Sequence, residues 1–268
     1  MSEAERNVMD LLSLKGKVAI VTGASGWLGS AMSRALAEAG ARLVVTSRTA
    51  SQAEAFASTL PGEGHIGLGF DQGETDTIPQ FVADVVERMG QIDILVNNAY
   101  GGPPAKIDTA TAESFDQAYH VGVTAYFILA RDVALHLRER GVSGSIVNIG
   151  SMYGVVASYP DAYEGLGINS PPNYHGLKGG IVHLTRHLAV YWAKDNIRVN
   201  CLSPGPFPKM PDIDEAHPEF LARLKTRVPM GRMGKPEELK GLILLLTSDA
   251  GSYITGQNIL VDGGWTAW

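Results

Sequence analysis

The fold of this protein is decided by residues 18–40, which read VAIVTGASGWLGSAMSRALAEAG. Four consecutive aliphatic residues, Val18 to Val21, predict a buried strand. Three glycines follow directly, where a tight turn lets a phosphate group approach the N–H groups at the start of a helix. Apolar residues then recur at three- and four-residue steps from Ser30 to Ala39, and Gly40 is a helix stop. The stretch therefore predicts a strand, a phosphate-binding turn and a crossover helix.

Six further aliphatic runs follow, and segments of helical periodicity separate them. Strands that alternate with helices are typical of a parallel sheet that helices cover on both faces. The sequence therefore predicts an α/β fold with a doubly wound parallel sheet of about seven strands. The predicted strands are Val18 to Val21, Leu43 to Thr46, Ile66 to Phe70, Ile94 to Val96, Ile146 to Ile149, Val199 to Leu202 and Ile259 to Val261.

The strands are predicted to belong to one domain, residues 14–268, because no linker rich in serine, glycine or proline divides them. Residues 1–13 are predicted to be a loosely held tail. Two stretches that interrupt the alternation, at about 157–173 and 206–229, both follow predicted strands. Doubly wound sheets bind ligands at the carboxyl ends of their strands, and long loops in compact domains are often functional. Both loops are therefore predicted to contact a substrate.

The composition is that of an ordinary globular protein. Its 268 residues include 22 Lys and Arg against 28 Asp and Glu, a formal net charge of −6. Without a basic stretch the chain is not expected to bind nucleic acid. The longest aliphatic run, Leu242 to Leu246, is too short to span a membrane, and the acidic N-terminal residues do not resemble an export signal. Cys201 is the only cysteine, which suits a reducing compartment, so a cytoplasmic location is predicted.

Several motifs resemble those of the short-chain dehydrogenase/reductase family, in the same order and over nearly the whole chain. The resemblance implies a single Rossmann-type domain that exchanges a hydride between a carbonyl and its alcohol by means of a nicotinamide cofactor. The motifs are Asn97-Asn98-Ala99, Ser151, Tyr174 with Lys178 four residues later, Pro204-Gly205, and the closing segment from Gly256 to Gly264.

Ser151, Tyr174 and Lys178 are the predicted catalytic residues. A tyrosine with its ordinary pKa of about 10 is a weak base at neutral pH, so a nearby cation must favour its phenolate. Lys178 lies on the same helical face as Tyr174 and can do this. Tyr174 would donate a proton to a carbonyl oxygen in reduction and take the hydroxyl proton in oxidation. Ser151 would hold the same oxygen by a hydrogen bond.

The cofactor is predicted to be NADP rather than NAD. Enzymes that prefer NAD usually have an acid after the second strand, whereas Thr46-Ser47-Arg48 offers a cation to a 2′-phosphate. The residues that the resemblance assigns to the cofactor are Thr22, Gly23, Ser25, Gly26, Trp27, Leu28, Gly29, Arg48, Asp71, Asn98, Ala99, Tyr174, Lys178, Pro204 and Gly205.

Three positions depart from the family pattern. Trp27 replaces the middle glycine of the turn, Lys209 replaces a threonine, and Gly122 replaces an asparagine that helps to hold a proton-relay water. Because glycine is unfavourable inside a helix, we expect a bulge at Gly122 whose backbone binds that water instead. Two alternatives stay open: a nucleotide-binding sensor or regulatory protein without catalysis, and a lyase similar to the halohydrin dehalogenases. In the latter the Trp27 ring would fill the nucleotide site, although those enzymes have arginine where this chain has Lys178.

The substrate is predicted to be a small polar molecule. The segment between Ser151 and Tyr174, residues 152–173, has 22 residues, which is long for the family, and it is rich in hydroxyl-binding groups. A polar substrate needs its hydrogen bonds replaced on burial, so this loop suits a sugar or polyol. The candidate substrate residues are Tyr159, Tyr163, Glu164 and Phe207.

A helix is predicted from about Tyr174 to Lys194. His183 and His187 on this helix have the spacing of a metal pair, but they lack the intervening glutamate and a third ligand, so no metal site is predicted. By the resemblance, this helix packs against a neighbouring subunit. A homotetramer or homodimer is the assembly implied.

Overall fold

Seven parallel strands form one sheet in the computed structural model, which describes residues 5–103, 105–209 and 217–267. All seven predicted strands are confirmed: five are one to four residues longer than predicted, the first has the predicted bounds, and the third is one residue shorter. They are β1 Val18–Val21, β2 Arg42–Ser47, β3 Ile66–Gly69, β4 Ile94–Asn97, β5 Gly144–Ile149, β6 Ile197–Pro204 and β7 Asn258–Val261.

The strand order is β3-β2-β1-β4-β5-β6-β7, and every neighbouring pair is parallel. The chain builds outward from β1 to β3, returns to the other side of β1 with β4, and then builds outward to β7. A crevice forms where the strand order reverses, and it opens at the carboxyl ends of β1 and β4. The predicted doubly wound architecture is therefore confirmed.

Helices cover both faces of the sheet, as the parallel strands require. The helices are α1 Val8–Leu12, α2 Trp27–Glu38, α3 Ala50–Ala57, α4 Ile78–Met89, α5 Ala112–Tyr119, α6 Ala125–Arg140, α7 Pro160–Tyr163, α8 Pro172–Trp192, α9 Pro218–Lys225 and α10 Lys240–Thr247. None of these helices in the described part of the chain is long and apolar enough to cross a membrane.

The side chains of β1 point alternately to the two faces of the sheet, where two separate core layers form. Val18 and Ile20 point into one cluster, with side chains of α4, α6 and α8. Ala19 and Val21 point into the other, with side chains of α2, α3 and α10. Successive side chains of a strand face opposite sides, so a strand buried on both faces is apolar at most or all of its positions, and β1 is apolar at all four.

The segments predicted to be irregular contain short helices. In the predicted tail, α1 is mostly exposed, and Arg6 forms an ion pair with Asp249 at 2.7 Å. The first predicted substrate loop, 157–173, contains α7, and the second, 206–229, contains α9. Residues 210–216 of the second loop lie outside the described residues.

Candidate active site

A cavity of about 840 Å³ lies along the carboxyl ends of the strands, at the predicted crevice. Of the predicted cofactor residues, only Thr22 does not line it. Thr22 is fully buried beneath it, and its hydroxyl oxygen accepts hydrogen bonds from the backbone N–H groups of Asn98 and Ala99, each at 2.9 Å. The Asn98 amide in turn donates to the carbonyls of Thr22 and Gly23, at 2.8 and 3.0 Å. The glycine-rich turn is therefore fixed to the end of β4.

The turn leaves no room for a side chain at Gly29. A Cβ there would stand 2.4 Å from the Gly23 carbonyl oxygen, and Gly23 itself has a φ of +60°. Glycine is needed at both positions because the turn and the first turn of α2 approach each other closely. The result is a cradle of backbone N–H groups at the start of a helix, a geometry that binds phosphate.

We expect Gly29→Ala to lower the melting temperature by several degrees, because the added methyl group must push the Gly23 turn away from α2. Gly241→Ala is the matched control: Gly241 also lies in a helix, and a Cβ there meets no atom within 4 Å. The control should be neutral or slightly stabilising, since alanine favours helices. Equal melting temperatures for the two variants, measured by calorimetry, would contradict the steric argument.

The indole of Trp27 lies on the wall of the cavity and does not fill it. Its N–H donates to the Phe207 carbonyl at 3.1 Å, and its side chain is 36% exposed. The bond joins the glycine-rich turn to the segment after β6. A cavity large enough for a nucleotide remains with Trp27 in place. The structure therefore does not support the dehalogenase alternative, in which the Trp27 ring would fill the nucleotide site.

Arg48 and Asp71 line the cavity beyond the ends of β2 and β3. Arg48 is exposed, and no carboxylate among the described residues pairs with it. Asp71 is also exposed, and its carboxylate accepts the Gly73 N–H at 2.9 Å, so it forms a turn as well as bordering the cavity.

Ser151, Tyr174 and Lys178 meet at the other end of the cavity. Ser151 follows β5, and Tyr174 and Lys178 lie one turn apart near the start of α8. The Lys178 ammonium donates to the Ile149 carbonyl at 2.7 Å and stands 5.6 Å from the centroid of the Tyr174 ring. The three side chains that the sequence predicts to act together are therefore brought together.

Burial has the largest effect on the pKa values of Tyr174 and Lys178. It raises the pKa of Tyr174, and a hydrogen bond with the Ser151 hydroxyl opposes that rise. It lowers the pKa of Lys178 to about 8. The net shift of the Tyr174 pKa is therefore opposite to the one expected from a nearby cation, because desolvation is the larger effect and the Lys178 ammonium donates to a backbone carbonyl. Tyr174 is protonated at neutral pH, the state that can donate a proton.

A second cavity, of about 320 Å³, adjoins Tyr174 on the side away from the glycine-rich turn. The Tyr153 and Tyr163 hydroxyls form a hydrogen bond with each other at 3.1 Å, and the Tyr153 ring stacks on His175. Burial raises the pKa of Tyr153, so its hydroxyl is neutral. The lining residues are Tyr100, Gly102, Pro103, Tyr153, Tyr163, Asn169, Ser170, Pro171 and Tyr174.

Two of the four predicted substrate residues line a cavity, and two do not. Tyr163 lines the small cavity, and Phe207 lines the large one. Tyr159 packs instead on Trp265, with ring centroids 5.4 Å apart, and the Arg227 guanidinium lies over its ring. Glu164 is exposed and lines neither cavity. A loop can place a residue on either side, and sequence spacing alone does not decide which.

Tyr100 and Tyr153 were missed by the sequence analysis. The Tyr100 ring meets the Tyr174 ring edge to face, with centroids 5.3 Å apart, and lies 5.7 Å from the Lys178 ammonium. Burial raises the pKa of Tyr100 to about 12. Each follows a motif residue closely, Tyr100 after Asn97-Asn98-Ala99 and Tyr153 after Ser151. Their positions just after the ends of strands could have indicated that they belong to the site.

A π-turn, His120–Thr124, joins α5 to α6 beside the cavity. The Ala125 N–H donates to the His120 carbonyl, five residues back rather than four. The predicted bulge at Gly122 is thereby confirmed. A Cβ at Gly122 would stand 2.9 Å from a Leu177 methyl carbon, so the space that a side chain would need is already occupied.

Known proteins match the chain over nearly its whole length. A family model described as enoyl-(acyl carrier protein) reductase matches residues 23–266. The chain is 36% identical over 267 residues to the NADP-dependent mannitol dehydrogenase of Hypocrea jecorina, covering 97% of this chain and 96% of that protein. It is 34% identical over 264 residues to the 2-dehydro-3-deoxy-D-gluconate 5-dehydrogenase of Escherichia coli (strain K12), covering 97% and 99%.

A solved structure also matches. The gluconate 5-dehydrogenase from Burkholderia cenocepacia J2315, in complex with NADP and tartrate, is similar with a TM-score of 0.86 and 30% sequence identity. The match covers 98% of this chain and 100% of that chain. The similarity therefore extends over the sheet, the glycine-rich turn and both cavities.

Proposed function

Because the chain belongs to the short-chain dehydrogenase/reductase family, we propose that it is an NADP-dependent oxidoreductase that interconverts an alcohol and a carbonyl on a sugar, a polyol or a polyhydroxy acid. The observation that carries the proposal is the position of Ser151 and Tyr174, since Tyr174 borders both the dinucleotide-sized cavity and the smaller one. A substrate in the smaller cavity would have its reacting carbon beside the cofactor.

The residues of the large cavity fit a dinucleotide. The backbone cradle at Gly23 and Gly29 suits the pyrophosphate, and Arg48 offers a cation at the adenosine end. At the other end, the Lys178 ammonium has three donor protons, of which one is used by Ile149. A bound nicotinamide dinucleotide would supply the hydride in reduction and accept it in oxidation.

The protein's own residues move the proton. Tyr174 stands protonated at neutral pH and donates to the substrate oxygen in reduction. The Ser151 hydroxyl, which borders the same cavity as Tyr174, holds that oxygen in line by a hydrogen bond. Lys178 holds positive charge near the phenol as the proton leaves, and the charge stabilises the developing phenolate.

The lining of the small cavity supports a polyhydroxy substrate. The tyrosine rings offer apolar surface to C–H groups, while the paired hydroxyls of Tyr153 and Tyr163 and the Asn169 amide can exchange hydrogen bonds with substrate hydroxyls. The relatives named above act on mannitol and on 2-dehydro-3-deoxy-D-gluconate, and the solved structure holds tartrate. These are all small polyhydroxy compounds.

The test is a turnover screen with NADP⁺ and a panel of hexitols, pentitols and aldonates, followed by NADPH absorbance. We expect at least one panel member to be oxidised with a kcat/KM well above that of cyclohexanol. A preference for cyclohexanol would contradict the substrate class. NADPH binding, measured by fluorescence, with no turnover of any alcohol would favour the sensor alternative.

Arg48→Ala should raise the Kd for NADPH by about tenfold to a hundredfold, the usual effect of losing a hydrogen bond to a charged group, and leave the Kd for NADH unchanged. Calorimetric or fluorescence titration measures both constants. The matched control is Arg88→Ala, which removes an exposed positive charge from the end of α4. Equal affinity of the unmodified protein for NADPH and NADH would overturn the NADP preference.

A further inference from the structure

Gln72 links two walls of the large cavity and has no role in the proposal above. It follows β3, lines the cavity and is 5% exposed. Its amide nitrogen donates to the Ala99 carbonyl at 2.9 Å and to the Val121 carbonyl at 2.8 Å. Both partners only accept hydrogen bonds, so the NH₂ end of the amide must face them. One buried side chain thus joins the end of β4 to the π-turn.

Gln72 supplies the donor that the π-turn takes away from the Val121 carbonyl. The Ala125 N–H, which in an α-helix would donate to Val121, donates to His120 instead. Gly122 has no side chain, and Leu177 occupies the space where one would stand. On the outer side, the His120 ring nitrogen lies 2.7 Å from the Gly73 carbonyl oxygen. The segment after β3 therefore holds the turn at two points, and Gln72 is the buried one.

The position of the turn matters for Lys178. The turn and Lys178 border the same cavity, and two of the three ammonium protons have no acceptor among the described residues. The Gln72 carbonyl oxygen is also buried without a donor in the described ranges. Buried polar groups of this kind are usually satisfied by water. A water bound beside Lys178 in this cavity can carry a proton between Lys178 and solvent.

We propose that Gln72 is a positioning residue for the reaction, and that it takes over the support that the family's asparagine gives at position 122. By fixing the π-turn to the end of β4, Gln72 keeps the turn's carbonyls where they hold the proton-carrying water beside Lys178. This inference rests on the proposed oxidoreductase activity, because the water serves to exchange protons between Tyr174 and solvent by way of Lys178, outward in oxidation and inward in reduction.

The test compares Gln72→Met with Gln91→Met. Methionine has nearly the length of glutamine but no amide, so Gln72→Met removes both hydrogen bonds with little change in volume. Gln91 is a matched control, because its amide also donates twice, to the Gly16 carbonyl and the Asp93 carboxylate, at the opposite end of the sheet. For each protein we would measure kcat, KM, the Kd for NADPH, the melting temperature and amide hydrogen exchange over residues 119–127.

We expect Gln72→Met to lower kcat by about tenfold to a hundredfold while KM and the Kd for NADPH stay within about threefold. A small diffusible base such as imidazole should restore part of kcat, because it replaces the relay. Exchange at residues 121–126 should become about tenfold faster. Gln91→Met should change neither kcat nor this exchange. If Gln72→Met does not fold, Gln72→Leu, which also lacks the two donors, is tested in its place.

A kcat within threefold of the unmodified protein would overturn the proposal. So would a loss of kcat that imidazole does not relieve, because a merely structural role predicts that outcome. If the unmodified protein turns over no panel substrate, the proposed substrate class fails by itself. Amide hydrogen exchange of the Gln72→Met variant then tests the positioning role of Gln72. An unchanged exchange rate at residues 121–126 would overturn that role.

Discussion

Replacing Tyr174 by phenylalanine should lower kcat by about a thousandfold or more, while the Kd for NADPH stays nearly unchanged. The change deletes only the hydroxyl that transfers the proton. The phenylalanine ring can keep the edge contact with Tyr100, at a centroid distance of 5.3 Å, and its place 5.6 Å from the Lys178 ammonium. Binding and packing are therefore preserved, and the proton transfer is lost.

Tyr163→Phe is the matched control for this experiment. Tyr163 is also a tyrosine of the small cavity, but its hydroxyl pairs with Tyr153 rather than with Ser151. We expect the control to raise KM and to leave kcat within about tenfold, since it removes a binding contact rather than the acid. Steady-state kinetics on the best panel substrate measures both variants. If Tyr174→Phe keeps more than a tenth of kcat, another acid acts, and Tyr100 is the first to test.

The sheet could be predicted from the sequence because its signals are local. A strand buried on both faces is mostly apolar, and β1 shows this at all four of its positions. The family resemblance then predicted that Ser151, Tyr174 and Lys178 act together, and the structure brings them together. The need for glycine at position 29 could also be predicted locally, because residues 18–40 predict a strand, a tight turn and a helix that follow one another directly.

The parts that could not be predicted depend on contacts between distant segments. Glu164 and Tyr163 are neighbours in sequence, yet only Tyr163 lines the small cavity. The Tyr163 ring also packs on Phe220 of α9, whereas Glu164, just after the end of α7, is exposed. The two hydrogen bonds of Gln72 join residues 27 and 49 positions away. The pKa of Tyr174 also escaped prediction. The spacing to Lys178 indicates a nearby cation, whereas the dominant cause is burial, which depends on the whole fold.

Burial of Lys178 gives the last prediction: Lys178→Met should abolish activity and stabilise the protein at pH 7. The side chain is 3% exposed, and folding lowers its pKa from 10.5 to about 8. Below pH 8 the ammonium is charged in both states, so the folded state bears the full cost of burial, about 3 kcal/mol. Methionine has no charge to bury, and the lost hydrogen bond to Ile149 offsets part of this gain.

The gain should depend on pH in a defined direction. Between pH 8 and 10.5 the unfolded state binds more protons at Lys178 than the folded state, so the unmodified protein gains stability from this group as the pH rises. The variant lacks that gain. We therefore expect Lys178→Met to melt a few degrees above the unmodified protein at pH 7 and to lose this advantage towards pH 10.5. Lys225→Met, at an exposed lysine of α9, should show no such difference. A variant that is less stable at pH 7, or a difference that does not shrink with rising pH, would show that burial of the ammonium carries no cost here.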